Sequence, residues 1–157
     1  MVSAMTVAEA LRSSTLFKDF SDVGIQLFAR IAQEKAFPAG SPLFVESMVG
    51  ESLFIVKAGS VRVVQKSDGG ERELTVLGPG EHLGELGILA RSVRLVSAVA
   101  ASQTEVVELA HRDFLALQAT KPQACLKLAL AIAADLAARM GEARELVQRA
   151  ALKPQGG

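Results

Sequence analysis

A short segment near the middle of the chain carries residue types that could bind an anion. It consists of Gly84-Glu85-Leu86-Gly87, and Arg94 follows shortly after it. A glycine-flanked turn that opens a helix exposes backbone N–H groups, and these attract anions together with the partial positive charge at a helix start. An arginine just beyond the turn adds a charge-assisted, two-pronged contact to a phosphate. The segment therefore predicts a phosphate-binding site.

Glu85 narrows the choice of ligand, because a carboxylate repels a phosphate unless it accepts hydrogen bonds from another part of the same molecule. A sugar hydroxyl is such a donor. An arginine for phosphate and a glutamate for a ribose hydroxyl together describe a cyclic nucleotide. In the alternative, Glu85 and Arg94 form an ion pair with each other and only close the fold. Buried ion pairs seldom stabilise a core, and this favours the ligand.

The sequence gives little support for catalysis. Its two histidines, His82 and His111, lie far apart, so we expect no multi-histidine metal site. We find no Gly-x-Ser-x-Gly elbow and no Walker loop. The single cysteine, Cys125, has no CxxC partner and is expected to be a small apolar residue on a buried helix face. We therefore expect neither a metal nor an enzyme.

The composition is that of a globular chain. Of 157 residues, 50% are apolar and 22% are charged, and 17 basic residues balance 17 acidic ones. Zero net charge and the lack of Trp and Tyr argue against binding to nucleic acid or to an anionic membrane. The longest apolar run, 128–134, is far shorter than the roughly 20 residues of a spanning helix, and no secretory leader is evident. We expect a soluble, cytoplasmic protein.

Three sequence patterns divide the chain. Residues 6–35 show helical spacing of apolar residues, which predicts two short helices with a break at Asp19-Phe20 and an N-cap at Ser21-Asp22. From 37 to 110, glycines recur roughly every ten residues, which is typical of a barrel. After His111, Ala and Leu dominate and predict helices over 112–150, with Pro122 in a first turn. Strands are predicted at 42–45, 53–56, 60–64, 73–77, 95–101 and 105–109.

These patterns predict one domain, residues 1–152, followed by a disordered tail at 153–157. Its class is mainly β with flanking helices: a double-stranded β-helix (jelly-roll) barrel with N-terminal helices and a long C-terminal helix. Asp68-Gly69-Gly70 predicts a hairpin between strands that end at Lys66 and start at Arg72. The last helix carries an apolar stripe. The stripe either packs on the barrel of its own chain or pairs with the same helix of a second copy, and the sequence does not choose between these two alternatives. The stripe consists of Ala129, Ile132, Leu136, Met140, Ala143 and Val147.

The order of elements and two motifs resemble the cyclic-nucleotide-binding domain family of catabolite-activator-like (Crp-Fnr) regulators, cyclic-nucleotide-dependent kinases and gated channels. The resemblance covers about residues 13–145. The first motif comprises Phe37-Pro38-Ala39-Gly40, Phe44-Val45-Glu46, and the segments 50–56 and 59–63. The second, the phosphate-binding cassette, runs from Gly84 to Arg94. Residues 100–106 then fall in the closing strand without a gap, which favours Arg94 over Arg91 as the phosphate arginine.

The resemblance implies a role for each cassette residue. Glu85 would hold the ribose 2′-hydroxyl, Arg94 the cyclic phosphate, and the backbone N–H groups of Gly84, Glu85 and Leu86 the remaining phosphate oxygens. The long C-terminal helix would cover the base. Base contacts are expected from Leu74, Val76, Leu126 and Leu130.

The chain departs from the family pattern directly after Arg94. Tightly binding relatives usually continue with Ser or Thr and then Ala, whereas this chain has Leu95-Val96. Loss of one hydrogen bond to a charged partner weakens binding by roughly 1.5–3 kcal/mol. The missing hydroxyl often favours guanine in relatives, so cAMP is favoured over cGMP. In an alternative register Ser97-Ala98 takes that place, at the cost of a two-residue longer loop. Ser47-Met48 replaces the usual Gly-Asp.

The expected function is a stand-alone regulatory module that binds cAMP or cGMP and passes a signal through the C-terminal helix. The chain ends soon after that helix, without room for the helix-turn-helix domain of the family's regulators. One alternative is a structural or dimerisation module of the same fold without a ligand. Another is the effector domain of a transcriptional regulator, if the chain is a fragment. Expected partners are the nucleotide, a second copy and an unknown protein, but neither nucleic acid nor a membrane.

Overall fold

The computed structural model describes residues 5–152. Its N-terminal part consists of α1 (Val7–Ser13), a 3-10 helix (Thr15–Phe17) and α2 (Asp22–Ile31). Ser21 is the N-cap of helix α2, and its hydroxyl accepts a hydrogen bond from the N–H of Gly24 at 3.2 Å. This contact satisfies one of the unpaired donors of the first helical turn. The predicted cap at Ser21 and the break before it are confirmed.

The helical prediction is wrong for its last residues. After α2 the chain turns extended at Ala32, and strand β1 covers Gln33–Phe37. Strand β1 pairs antiparallel with the last strand, β10 (Thr104–Ala110). Its sequence, Gln-Glu-Lys-Ala-Phe, favours a helix by local propensity, but the ladder to a strand distant in sequence overrides that preference.

The barrel contains the predicted strands and several short ones that the sequence pattern missed. Its elements after β1 are β2 (Pro42–Phe44), β3 (Val49–Gly50), β4 (Ser52–Ala58), β5 (Val61–Ser67), β6 (Gly70–Leu77), β7 (His82–Leu83), α3 (Glu85–Leu89), β8 (Ser92–Val93), β9 (Ser97–Ala100) and β10. The two main sheets have the strand orders β1-β10-β4-β7 and β2-β9-β5-β6, and β3 pairs with β8. This arrangement is the predicted jelly roll, mainly β with flanking helices.

The hairpin predicted at Asp68-Gly69-Gly70 joins β5 to β6. Its two strands are longer than predicted, because Ser67 pairs directly with Gly70 and leaves only Asp68 and Gly69 in the turn. Gly70 has φ +118°, a conformation that favours glycine. The strand predicted at 95–101 is shorter, since β9 begins only at Ser97.

Strand β4 separates two cores, because successive side chains of a strand point to opposite faces. Leu53 and Ile55 pack with the helices, whereas Phe54 and Val56 pack inside the barrel. The helix-side core also contains Phe17, Phe28, Phe114, Leu128 and Ile132. The start of β4 therefore lies where the helical layer meets the barrel.

The C-terminal helices are α4 (His111–Thr120) and α5 (Pro122–Leu152), which confirms the predicted pair and its break before Pro122. Cys125 is buried against the helix-side core, and this burial raises the pKa of its thiol. From residue 137 to residue 152 every position of α5 is exposed. Among the described residues, no helix has the length and apolar character needed to cross a membrane. The tail predicted at 153–157 lies outside the described residues.

Two glycines with the same backbone conformation give a test of the barrel geometry. Gly59 and Gly40 both have φ +88°, but a Cβ at Gly59 would lie 2.4 Å from the carbonyl oxygen of Gln103, whereas a Cβ at Gly40 meets nothing within 4 Å. Gly40→Ala should lower the free energy of unfolding by about 1–2 kcal/mol through backbone strain alone. Gly59→Ala should lower it by a further ~1–3 kcal/mol through the collision. Denaturant unfolding measures both, and equal losses would contradict the geometry.

Candidate functional site

A cavity of about 960 Å³ lies between the barrel, the segment around α3 and helix α5. Its volume is in the range of small-molecule sites, roughly 300–1,000 Å³. The predicted cassette residues all line it: Gly84, Glu85, Leu86, Arg94, Leu95 and Val96. Helix α5 contributes Leu136, Arg139 and Glu142 from the opposite side. The structure thus brings together the cassette and the C-terminal helix, as the sequence predicts.

Arg94 is a buried cation at the base of this cavity. It is 7% exposed, and its Nη2 donates to the carbonyl of Ser52 at 2.8 Å and its Nη1 to that of Gly84 at 3.2 Å. The guanidinium carbon lies 4.2 Å from the ring centroid of Phe44. Its Nε has no hydrogen-bond partner. Burial lowers the pKa of Arg94, against the opposing attraction of Glu85 and Glu108.

The ion pair between Glu85 and Arg94, which the sequence left as an alternative, does not form. Within the part of the chain that the structure describes, Arg94 lies within salt-bridge distance of no carboxylate, and Glu85 pairs with Arg139 instead. A buried charge without a counter-ion is costly. The arrangement around Arg94 therefore favours an anion in the cavity.

Glycines provide the space that the Arg94 side chain occupies. A Cβ at Gly50 would lie 1.9 Å from its Nε, and one at Gly84 would lie 2.5 Å from its Nη1. A Cβ at Gly87 would lie 3.2 Å from the same Nη1 and 2.9 Å from the backbone nitrogen of Ser52. Gly84 also has φ +73°, which turns the chain from β7 into α3. The position of the Arg94 side chain therefore requires a residue without a Cβ at each of these three sites.

The backbone of Arg94 is fixed by the loop before β3. Its N–H donates to the carbonyl of Met48 and its carbonyl accepts from the N–H of Ser47, both at 2.8 Å. Ser47 has φ +73°, the only positive φ among the described non-glycine residues. A serine therefore adopts a conformation that favours glycine, at the position where relatives usually have one.

The positions of neighbouring residues also favour one of the two registers of the sequence after the cassette, the one that has Arg94 as the phosphate arginine. Ser97 belongs to β9, and its hydroxyl accepts from the N–H of Glu46 at 2.8 Å. Arg91 is exposed and forms an ion pair with Glu51. Arg94 is thus the arginine that reaches the cavity, without the longer loop of the alternative register. Leu95 lies at the cavity rim with 74% exposure.

A charged network that the sequence analysis missed links Glu85 to α5. Arg139 donates from Nη1 to Oε1 of the buried Glu85 at 3.2 Å. Its Nε lies 3.1 Å from Oδ2 of Asp135, one turn earlier on α5, and its Nη2 lies 3.3 Å from Nε2 of His82. The helical spacing of Asp135 and Arg139 is visible in the sequence. Their proximity to His82 and Glu85 depends on how α5 crosses the barrel, which no local pattern reveals.

The residues predicted to contact a base do not line this cavity. On β6 the lining residues are Thr75 and Leu77, whereas Leu74 and Val76 are exposed. Alternate residues of a strand face opposite sides, so Leu74 and Val76 lie on the other face of β6 from the two lining residues. Leu126 and Leu130 are also exposed, and they precede the turns of α5 that reach the cavity. Leu130 instead lines a separate cavity of about 500 Å³ beside the 3-10 helix.

Comparison with known proteins agrees with this geometry. A profile of the family described as "Cyclic nucleotide-binding domain" matches residues 34–121. The chain is 36% identical over 127 residues to the "Cyclic AMP receptor protein" of Thermus thermophilus, a match that covers 80% of this chain and 59% of that protein. The chain spans between 48% and 59% of the length of the first curated relatives that it matches.

Two solved structures extend the comparison to the fold. The Thermus thermophilus Catabolite Activator Protein superimposes with a TM-score of 0.78 and 35% identity, covering 88% of this chain and 63% of that one. The regulatory domain of Toxoplasma gondii PKA, co-crystallised with cAMP, superimposes with a TM-score of 0.64 and 32% identity, covering 71% of this chain and 42% of that one.

The strain of the left-handed backbone conformation at Ser47 can be tested by comparison with Ser41, a serine that does not adopt this conformation. Ser47→Gly should raise the free energy of unfolding by about 0.5–1 kcal/mol, because relief of the left-handed conformation exceeds the added flexibility of the unfolded chain. Ser41→Gly, at a position without positive φ, should lower it by ~0.5–1 kcal/mol. Chemical denaturation of both variants measures this, and a loss of stability in Ser47→Gly would contradict the assignment.

Proposed function

Because the chain belongs to the cyclic nucleotide-binding domain family, we propose that it binds a cyclic nucleotide monophosphate in the cavity between the cassette and α5. The observation that carries the proposal is the buried guanidinium of Arg94, which has no carboxylate within salt-bridge distance among the described residues. A phosphodiester supplies one negative charge and oxygen acceptors, and both are what this group requires.

Each part of the nucleotide has a residue of matching chemistry. Arg94 binds the phosphate, and the N–H groups of Gly84, Glu85 and Leu86 bind the remaining phosphate oxygens at the start of α3. The Glu85 carboxylate accepts from the ribose 2′-hydroxyl, since it lines the cavity and has a second oxygen beyond the one that Arg139 contacts. The base lies towards α5, near Leu136 and Arg139.

Cyclic AMP is the first choice of ligand. The Thermus thermophilus relative is named a cyclic AMP receptor protein, and the Toxoplasma gondii domain was crystallised with cAMP. Leu95 and Val96 at the rim supply no hydroxyl, which removes one donor to the phosphate or base. We expect weaker binding than in relatives with that hydroxyl, by a factor of ten to a hundred or so.

Signalling runs through α5, because this helix contacts both the cavity and the helix-side core. Leu128 and Ile132 are buried in that core, whereas Arg139 contacts Glu85 in the cavity. A nucleotide that binds Glu85 changes the partners available to Arg139, and a ligand shifts a conformational equilibrium by its different affinity for the two states. In this proposal a protein partner responds to the change in α5, and the role of the chain is regulatory and not enzymatic.

Calorimetric titration with cAMP and cGMP tests the proposal. Wild type should bind, with cAMP tighter than cGMP. Arg94→Ala should lose at least a hundredfold in affinity, because it removes the buried positive charge that pairs with the phosphate, together with its N–H donors. Arg91→Ala is the matched control, since this nearby arginine is 68% exposed and pairs with Glu51 outside the cavity. It should bind like wild type.

Absence of binding of either nucleotide to the folded wild type would overturn the proposal. Equal affinities of wild type and Arg94→Ala would instead overturn the role of Arg94. Circular dichroism of all variants establishes that each is folded.

A second function, self-association through α5, is favoured by the distribution of its apolar residues. Ile132 is buried, and Ala129 and Leu136 are half-buried against their own domain. The predicted stripe therefore divides, and only Met140, Ala143 and Val147 are exposed. A different, fully exposed row has the alternating three- and four-residue steps of a coiled-coil seam. It consists of Leu126, Leu130, Ala133, Ala137, Met140, Arg144, Val147 and Ala151.

We propose that a second copy of the chain covers this row. The same face on both copies is self-complementary under twofold symmetry. Small residues such as Ala133 and Ala137 allow close approach of the helices, with the larger Leu130 and Met140 on either side. The row continues along the part of α5 in which every residue is exposed. All members of the row except Arg144 are apolar, and exposed apolar rows are typical of interfaces.

Ala137→Glu tests this interface by placing a carboxylate in the seam of each copy. It should raise the dimer dissociation constant at least tenfold, because two like charges would meet in an apolar contact. Ala138→Glu makes the same change at an exposed position outside the seam and should leave association unchanged. Sedimentation velocity at micromolar concentration measures both. A monomeric wild type, or equal effects of the two substitutions, would contradict the interface.

A further inference from the structure

One ring nitrogen of His82 faces a hydrogen-bond donor and an acceptor at the same time. Its Nε2 lies 3.1 Å from Oδ2 of Asp135 and 3.3 Å from Nη2 of Arg139. A nitrogen of a neutral imidazole is either a donor or an acceptor, so Nε2 satisfies only one of these neighbours. A protonated ring carries hydrogen on both nitrogens and satisfies only Asp135. Arg139 therefore keeps this contact only while Nε2 carries no hydrogen, and the protonated ring always carries one there.

The charged groups around His82 belong to two elements. Helix α5 supplies Asp135 and Arg139, and α3 supplies Glu85. One ring nitrogen of His82 and one carboxylate oxygen each of Glu85 and Asp135 lie within 4.8 Å of one another. On the other side β7 pairs with β4, where the partner of His82 is the buried Ile55. His82 and Glu85 are buried, whereas 52% of the Arg139 side chain is exposed. Arg139 is thus the member of this group that can move into solvent.

Arg139 also shares Glu85 with the nucleotide. It donates to Oε1 of this carboxylate at 3.2 Å, and both residues line the cavity. The ribose hydroxyl is the second donor for the same carboxylate in the function proposed above. Any change that weakens the hold of Arg139 on Glu85 therefore makes Glu85 a better acceptor for the ribose.

We propose that His82 is a positioning residue for Glu85 that acts through Arg139: protonation of His82 breaks its contact with Arg139, weakens the hold of Arg139 on Glu85 and strengthens cyclic nucleotide binding. This inference rests on the proposed function. Protonation of His82 raises the affinity for the nucleotide in two ways. A weaker hold of Arg139 makes Glu85 a better acceptor, and the imidazolium adds positive charge to the cavity wall that receives an anion. By thermodynamic linkage, binding of the nucleotide takes up a proton at His82.

The pH dependence of cAMP affinity tests the role of His82. Wild type should bind cAMP about three- to tenfold tighter at pH 6 than at pH 8. The phosphodiester keeps its single charge over this range. His82→Gln should show no such change. His111→Gln removes the other histidine of the sequence, which contacts the carbonyl of Ile88, and should keep the full change.

Arg139→Gln tests the route through Arg139. This variant lacks the competing guanidinium, so at pH 8 it should bind cAMP about as tightly as wild type does at pH 6, with a reduced pH dependence. Equal pH profiles in wild type and Arg139→Gln would overturn this route. A pH profile that persists in His82→Gln would overturn the role of His82.

Nitrogen-15 NMR of the imidazole tests the contact without nucleotide. At pH 8 the Nε2 of wild-type His82 should carry no hydrogen, because it accepts from Arg139. In Arg139→Gln it should carry the hydrogen and donate to Asp135. The same tautomer in both proteins would overturn the contact.

If cAMP binds at neither pH, the proposed function fails, and the tautomers measured by NMR still decide whether His82 responds to Arg139. If cAMP binds equally at both, the positioning role fails alone.

Discussion

The structure around the cavity depends on the burial of one guanidinium group. Arg94 is placed among backbone carbonyls, glycines and the ring of Phe44, and no acidic side chain of the described residues lies within salt-bridge distance of it. A fold that only needed to close its barrel would have a more stable solution in an apolar residue. The retained charge is consistent with the proposed anionic ligand, whose negative charge would offset the desolvation of the arginine.

Two features tie this site to the rest of the molecule. Ser52 opens β4 and provides a carbonyl to Arg94, and the next residues of that strand divide between the helix-side core and the barrel interior. Helix α5 is buried in the helix-side core at Leu128 and Ile132 and reaches Glu85 through Arg139 two turns later. The cassette is thus in contact with a helix whose remaining length is exposed, and the proposed signal would follow this contact. This is the arrangement expected of a sensor that reports through a helix.

The sequence predicted the features that depend on local chemistry. The cap at Ser21, the Asp68-Gly69 turn and the cassette with Arg94 follow from residue types at short spacing, and the structure places them as expected. Residues 33–35 were assigned to a helix because their pairing with β10 is a long-range contact without a local trace. The contact of Arg139 with Glu85 was missed for the same reason. The placement of Thr75 and Leu77 in the cavity, instead of Leu74 and Val76, is a choice between two faces of one strand, which depends on the barrel around it.

Equilibrium unfolding of wild type and Arg94→Met, each with and without cAMP, tests the central claim that Arg94 serves a ligand rather than the fold. Without nucleotide, the two proteins should differ by no more than about 1 kcal/mol, because the lost hydrogen bonds to Ser52 and Gly84 are offset by the removal of a buried charge. With nucleotide, wild type alone should gain stability. A loss of several kcal/mol in Arg94→Met, together with no gain in wild type, would show that the arginine is structural and would contradict the account.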